Sequence, residues 1–327
     1  MNDDMNSTAV EDPNQRFGWV ANPTAVAELV ASFPKRFGRP ADLAAAAPDW
    51  IGDGQKGDVK LYMAYREVAV TGWKAKDQEP PYLAQPGNDC TAESTARGID
   101  LLQFIEVAAP TKDTTPIFDG PDKRACIEGI YAYGLAAAGL RGDQGCYGAA
   151  IAQGAQQHGV LGYKDVDGID EVSSVRLRGF ARDPAGTLQK YGPLSDPYKV
   201  EVARITTWDE ACAWWANRGV ITIASTVGFA TPRDERGICR QAGVWPHQMV
   251  TCGCIRSDGV ETAVVLQSWG PNQPTGPTPF QLPTFAFRIL RADFERILNQ
   301  GDSWGYRNFT GFQRTPVPSR WSYDQMA

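Results

Sequence analysis

Two short runs of this chain hold a candidate nucleophile and a candidate base. Cys90 stands in Gln85-Pro-Gly-Asn-Asp-Cys90-Thr-Ala-Glu-Ser, where a polar turn gives way to a helical pattern, so its sulfur is expected on a surface turn at the positive end of a helix. An unperturbed thiol has a pKa of about 8.5, and one pKa unit corresponds to about 1.36 kcal/mol. A helix N-terminus contributes about 0.3 to 1 kcal/mol at a surface and about 2 in a favourable site, which lowers the pKa by roughly one unit. A thiolate that dominates well below neutral pH therefore needs a second positive group, and an imidazolium is the usual one. The chain has two histidines. His247 opens the strand-like run His247-Gln-Met-Val-Thr-Cys-Gly-Cys-Ile, whereas His158 closes a helical run before Gly159 and is expected to meet the helix dipole. His247 is thus the expected partner, and the chemistry of such a pair is acyl transfer.

Side chains alternate faces along a strand, so His247, Met249, Thr251 and Gly253 are expected on one face and Cys252 and Cys254 on the other. A zinc site using His247 with both cysteines would need ligands on opposite sides of the sheet. The chain also lacks Cys-x-x-Cys and His-Glu-x-x-His. No metal and no cofactor are expected. In the next strand-like run Ala263, Val265, Gln267 and Trp269 share a face. Gln267 could accept a hydrogen bond from the imidazole and hold its tautomer, with the Trp269 indole keeping water off that bond. Seven cysteines is an odd number, so at least one stays unpaired within the chain.

The elements that must position these groups follow from periodicity. Residues 1–50 read as a Pro-punctuated arm with a helix over 24–33 and an Ala-rich piece over 41–47, and residues 59–70 as a further helix. The Cys90 helix is expected to run to about residue 106, its apolar stripe being Ala92, Ala96, Ile99, Leu102 and Ile105. Helices at 124–140 and 147–158 complete a helix-rich half. Beyond Val160 strands are expected at 198–205, 220–226, 247–255, 262–269 and 285–290, with one helix at 208–218. They would form a twisted, mostly antiparallel sheet or open barrel. The acidic stretch from Asp165 to Glu171 lacks a full calcium-loop pattern and reads as a solvated loop.

Composition narrows the function. Hydrophobic residues at 43% and charged residues at 21% describe an ordinary globular chain with a sizeable core. A net charge of -6, without a Lys/Arg cluster, gives no footprint for nucleic acid. The acidic N-terminus is unlike a secretion signal, and no apolar run could span a bilayer, so neither export nor membrane insertion is expected. Without a secretion signal, a reducing compartment in which all seven cysteines are thiols is expected.

From about Gln78 onward the chain resembles the papain-like cysteine peptidases. The resemblance rests on Gln85, Cys90, His247 and Gln267-Ser-Trp-Gly in that order, with Gly145-Cys-Tyr-Gly148-Ala149 between them. It implies an α+β, two-lobed fold, with a helical half carrying Cys90 and a sheet half carrying His247. It also implies Gln85 and the Cys90 N–H as oxyanion donors, Gly148, Ala149 and Trp269 lining the substrate cleft, and a peptide or protein substrate. Residues 1–74 would then be an extension, either pro-segment or docking arm, before a peptidase domain at 75–327. Gly243-Val-Trp-Pro-His247 and Gly301-Asp-Ser-Trp also resemble a branch found in bacteriophages and bacteria, which would bring a virion or host protein as partner. Three departures stand out. Gln85 is one residue closer to the cysteine than usual, Gln267 replaces asparagine, and Ala149 replaces a glycine. A catalytically weak binding protein of the same fold and a peptidoglycan amidase remain alternatives.

Overall fold

The computed structural model describes residues 18–32, 57–67, 85, 87–108, 124–166, 172–268 and 273–308. The Ala-rich piece at 41–47 and Trp269 lie outside them. In chain order the elements are α1 (Pro23–Ser32), β1 (Val59–Lys60), α2 (Ala64–Glu67), α3 (Cys90–Ala108), α4 (Ile127–Ala138), α5 (Gly148–His158), α6 (Ser174–Arg182), α7 (Pro184–Ser195), β2 (Glu201–Arg204), α8 (Trp208–Ala216), β3 (Val220–Arg233), β4 (Cys239–Ile255), β5 (Thr262–Leu266), β6 (Ala286–Leu290), α9 (Arg291–Leu298) and β7 (Asp302–Arg307).

Local chemistry sets several helix starts. Thr207 and Glu210 form a capping box at α8: Thr207 Oγ1 accepts from the Glu210 N–H at 3.1 Å and Glu210 Oε2 from the Thr207 N–H at 3.2 Å. Asp183 caps α7 through the Gly186 N–H at 3.1 Å, with Pro184 at the first helical position where no N–H is needed.

The sheet is antiparallel and open, in the order β2-β7-β3-β4-β5-β6, with β1 added to β4. Helix α3 lies against β3 and β4 and also meets α4 and α5, so it is the partition between the helical half and the sheet half. Every residue from Cys90 to Ile105 is buried, not only the five-residue stripe. Much of the polar side of α3 is paired internally: Arg97 pairs with Glu93 at 2.7 Å and lies 5.0 Å from the Phe285 ring centroid, and Asp100 accepts from the Ala125 N–H at 2.9 Å. Val26 of α1 and Val59, Leu61, Tyr62, Ala64 and Tyr65 belong to the same apolar core as α3 and the sheet.

Several expectations need correction. The helix expected at 59–70 begins as β1, because Val59 and Lys60 pair with Cys254 and Gly253, and the described helical residues are a short turn at 61–63 and α2. Its buried face survives at Leu61, Ala64 and Tyr65, so the periodicity reported burial and not backbone state. Strands β3 and β4 form a hairpin far longer than the runs at 220–226 and 247–255, with register shifts beyond Ser225. A further shift between Thr251 and Cys254 interrupts simple alternation where the zinc argument applied it. Helices α6, α7 and α9 and strand β7 were not anticipated.

Candidate active site

Cys90 is the first residue of α3. Its loop is clamped from two sides: the Gly87 N–H donates to Asp89 Oδ1 at 2.9 Å, and the Asn88 N–H to Asp143 Oδ1 at 2.9 Å. These bonds draw Asp89 inside, where it is buried along with Thr91, so the expected surface turn is a buried one.

The sulfur meets two backbone donors. The Gly18 N–H reaches Sγ at 3.3 Å, and the N–H of Gln248 is also directed at it. Gln248 lies opposite Ala224 in the β3–β4 ladder, and its side chain ties β4 to the start of α3, with Nε2 donating to Thr91 O at 3.1 Å and Ser94 Oγ at 2.9 Å. His247, opposite Ser225, is therefore one residue from the group that touches the sulfur. The tertiary fold brings together two positions separated by nearly half of the chain.

Their protonation states differ from the expected ion pair. Burial pushes the Cys90 thiol up to about 12, against the lowering effect of the Gln248 and Gly18 N–H groups. Burial likewise pushes His247 down to about 3. Both groups are neutral near pH 7 in this conformation. The α3 N-terminus alone does not overcome the loss of solvation, because its roughly 2 kcal/mol limit is small beside the cost of a dry anion.

Gln85 and Ser268 join the nucleophile loop to the end of β5: Gln85 Nε2 donates to Gly87 O at 2.8 Å, and Ser268 Oγ donates to Gln85 Oε1 at 3.1 Å. One amide hydrogen of the expected oxyanion donor is thus directed into its own loop. Gln267 is buried next to Ser268 and its Nε2 donates to the Gln273 carbonyl.

Gly148 and Ala149 form the first turn of α5, and their N–H groups go to Asp302, at 2.7 Å to Oδ2 and 2.8 Å to Oδ1. A Cβ at Gly148 would stand 2.7 Å from Gln248 Oε1 and 2.9 Å from Asp302 Oδ1, so a glycine is needed there for close approach. The backbone that meets an extended segment is Cys146, two residues earlier. Its N–H donates to Gly18 O at 2.8 Å and its carbonyl accepts from the Val20 N–H at 3.0 Å, a parallel bridge centred on Trp19. The arm segment 18–20 thereby lies over Cys90. It presents the sulfur with an N–H donor and turns the Gly18 carbonyl the other way, onto Cys146.

Gly18, Trp19, Gln248 and Asp302 were not found by sequence reasoning. The signals available were faint: a Gly-Trp pair within a polar arm, a glutamine in an otherwise apolar run after His247, and the Gly301-Asp-Ser-Trp segment, noted without a role for its carboxylate.

No known family profile and no curated protein matches the chain. Among solved structures it is similar to xylellain, a cysteine protease from Xylella fastidiosa, at 14% identity and a TM-score of 0.53, covering 90% of this chain and 97% of that one. It also matches proCathepsin B S9 from Trypanosoma congolense at 11% identity and a TM-score of 0.46, over 91% and 88% of the two chains. The likeness to xylellain is one of fold, and the α+β architecture with its open antiparallel sheet is papain-like. No helix of the described residues is long and apolar enough to cross a membrane.

Proposed function

We propose that this protein is a papain-type cysteine peptidase held shut by its own N-terminal arm. Cys90 is the nucleophile and His247 the base that takes its proton, protonates the leaving amine and then activates water. Gln267 orients the imidazole, and the Cys90 N–H with Gln85 receives the oxyanion. The observation that carries this reading is the convergence at Cys90 Sγ of the helix α3 N-terminus, the peptide beside His247, and an extended arm segment paired to Cys146. An extended chain laid across a nucleophile marks where a peptide would lie.

In the closed form the thiol and imidazole are both neutral. When the arm leaves, water returns to the pair. The thiol pKa then falls and the imidazole pKa rises until proton transfer between them becomes favourable, giving the thiolate that attacks a carbonyl. Residues 1–74 act in this scheme as a pro-segment. The sequence resemblance to a branch found in bacteriophages and bacteria makes a virion or host protein a partner to test.

The test is incubation of purified wild-type chain beside Cys90→Ser and His247→Ala, followed by mass spectrometry. Shortening from the N-terminus in the wild type alone supports the reading. Equal stability of all three, with no casein hydrolysis after the arm has been clipped by an added protease, sinks it. Clearing of cell-wall zymograms without casein hydrolysis would instead select the amidase alternative.

A further inference from the structure

Beside Cys90 lies a side-chain pocket that already holds an indole. Trp19 is 6% exposed, clusters with Cys90 and Ala224, and donates its Nε1–H to Asp302 Oδ2 at 2.8 Å. Asp302 is itself 2% exposed. Three of its four donors belong to the scaffold: the Gly148 N–H on Oδ2 at 2.7 Å, the Ala149 N–H on Oδ1 at 2.8 Å, and Trp304 Nε1–H on Oδ1 at 2.7 Å. The fourth comes from the arm. A rigid frame of α5 and β7 thus holds a buried carboxylate with one acceptor direction left facing the pocket.

We infer that this pocket is a specificity site in which Asp302 Oδ2 reads a single side-chain N–H, and that tryptophan is the residue it takes from a bound peptide. The inference deepens the peptidase reading by naming the class of peptide that the site accepts. Three features of the pocket select for indole. Its apolar contacts, Ala224 and the Cys90 side chain, suit a flat aromatic ring. Phenylalanine or leucine would fill the space but leave Oδ2 one donor short in a dry site, which corresponds to roughly ten- to a hundredfold in affinity. Lysine brings three donors and a charge to one open acceptor direction, so most of its hydrogen-bonding capacity would be buried unmet. Indole has one N–H and matches the vacancy one for one.

The experiment uses the full chain with Trp19→Ala, checked for native circular dichroism, and measures binding of indole and 1-methylindole by calorimetry. Indole is expected to bind at least tenfold more tightly than 1-methylindole, which keeps the ring and lacks the N–H. Equal affinities, or no indole binding by the folded variant, overturn the inference. A second variant guards against collapse of the emptied pocket. Trp19→Phe keeps an aromatic ring and removes only the hydrogen bond, so the arm should lift more often and iodoacetamide should modify Cys90 at least tenfold faster than in wild type. An unchanged labelling rate also overturns it. Peptides carrying tryptophan, 1-methyltryptophan or lysine, offered to Trp19→Ala, separate this inference from the function beneath it. Selective binding of the tryptophan peptide without cleavage would leave the pocket standing and the peptidase reading fallen. Cleavage of all three alike would do the reverse.

Discussion

At the scale of the residue, Cys90 is governed by two opposed effects, and burial wins over the helix terminus and two N–H donors. With the thiol pushed up to about 12 by burial, the thiolate is a negligible fraction at pH 6 in this conformation. Iodoacetamide labelling of the intact chain at pH 5 to 6 is therefore expected to be negligible. It should become rapid in Trp19→Ala and be lost again in Trp19→Ala/His247→Ala, with the rate read by mass spectrometry. His247 gives a second expectation. Its pKa in the closed state lies near 3, below the ordinary 6.5, so any opened state binds more protons between those values. The His247 contribution to closed-state stability is then complete above about pH 6.5 and falls by up to about 1.36 kcal/mol per unit as the pH drops toward 3, while the Cys90 thiol, raised from its ordinary 9.0 to about 12, takes stability away as the pH rises between those two values. Amide exchange at Cys146 and Val20, corrected for intrinsic rates, should accelerate over the acid window in wild type and far less in His247→Gln.

At the scale of the element, the meeting of α5, β4, β7 and the arm depends on two glycines. Gly148→Ala would drive its Cβ against Gln248 Oε1 and Asp302 Oδ1, both buried acceptors with little room to withdraw. A loss of about 1 to 3 kcal/mol is expected by urea denaturation, in the range of core overpacking. Gly145→Ala should behave differently. Gly145 has φ of 92°, and a Cβ there would stand 2.4 Å from the Gly18 carbonyl oxygen, so the strain falls on the arm as well as on the loop. This variant should speed Cys90 labelling, whereas Gly148→Ala mainly lowers the unfolding midpoint. The helix carrying Cys90 was legible because its residues alternate at helical spacing and follow a polar turn. The long β3–β4 hairpin was not, since the exposed tract from Arg240 to Pro246 has no alternation of burial to announce a strand.

At the scale of the whole molecule, a buried guanidinium holds the far edge of the sheet. Arg288 on β6 is fully buried. It reaches Asp258 through Nη1 at 2.7 Å and Nη2 at 3.0 Å, Thr262 Oγ1 at 2.8 Å and the Arg236 carbonyl at 2.7 Å. Asp258→Ala leaves that charge without its carboxylate, and a loss of about 3 to 5 kcal/mol is expected from equilibrium unfolding. Because this network is remote from Cys90, labelling of the folded fraction should be unchanged. The two halves are joined by α3 and the Gln248 bonds to it, so the proposed site sits on a seam between a helical and a sheet half.

The amino-acid order alone determined which groups could do chemistry. A cysteine at a helix start, two histidines of which one ends a helix, and alternating strands pointed to Cys90, His247 and Gln267, and to a helical half followed by a sheet half. Only the tertiary structure decided the state of that chemistry. Trp19 and Asp302 are 283 residues apart, and nothing in the period of either segment records that they share a hydrogen bond. Local spacing reports which face of an element is apolar, through the repeat of that element. Which distant backbone covers a residue on it, and so whether its proton stays or leaves, depends on solvation set by the packed whole.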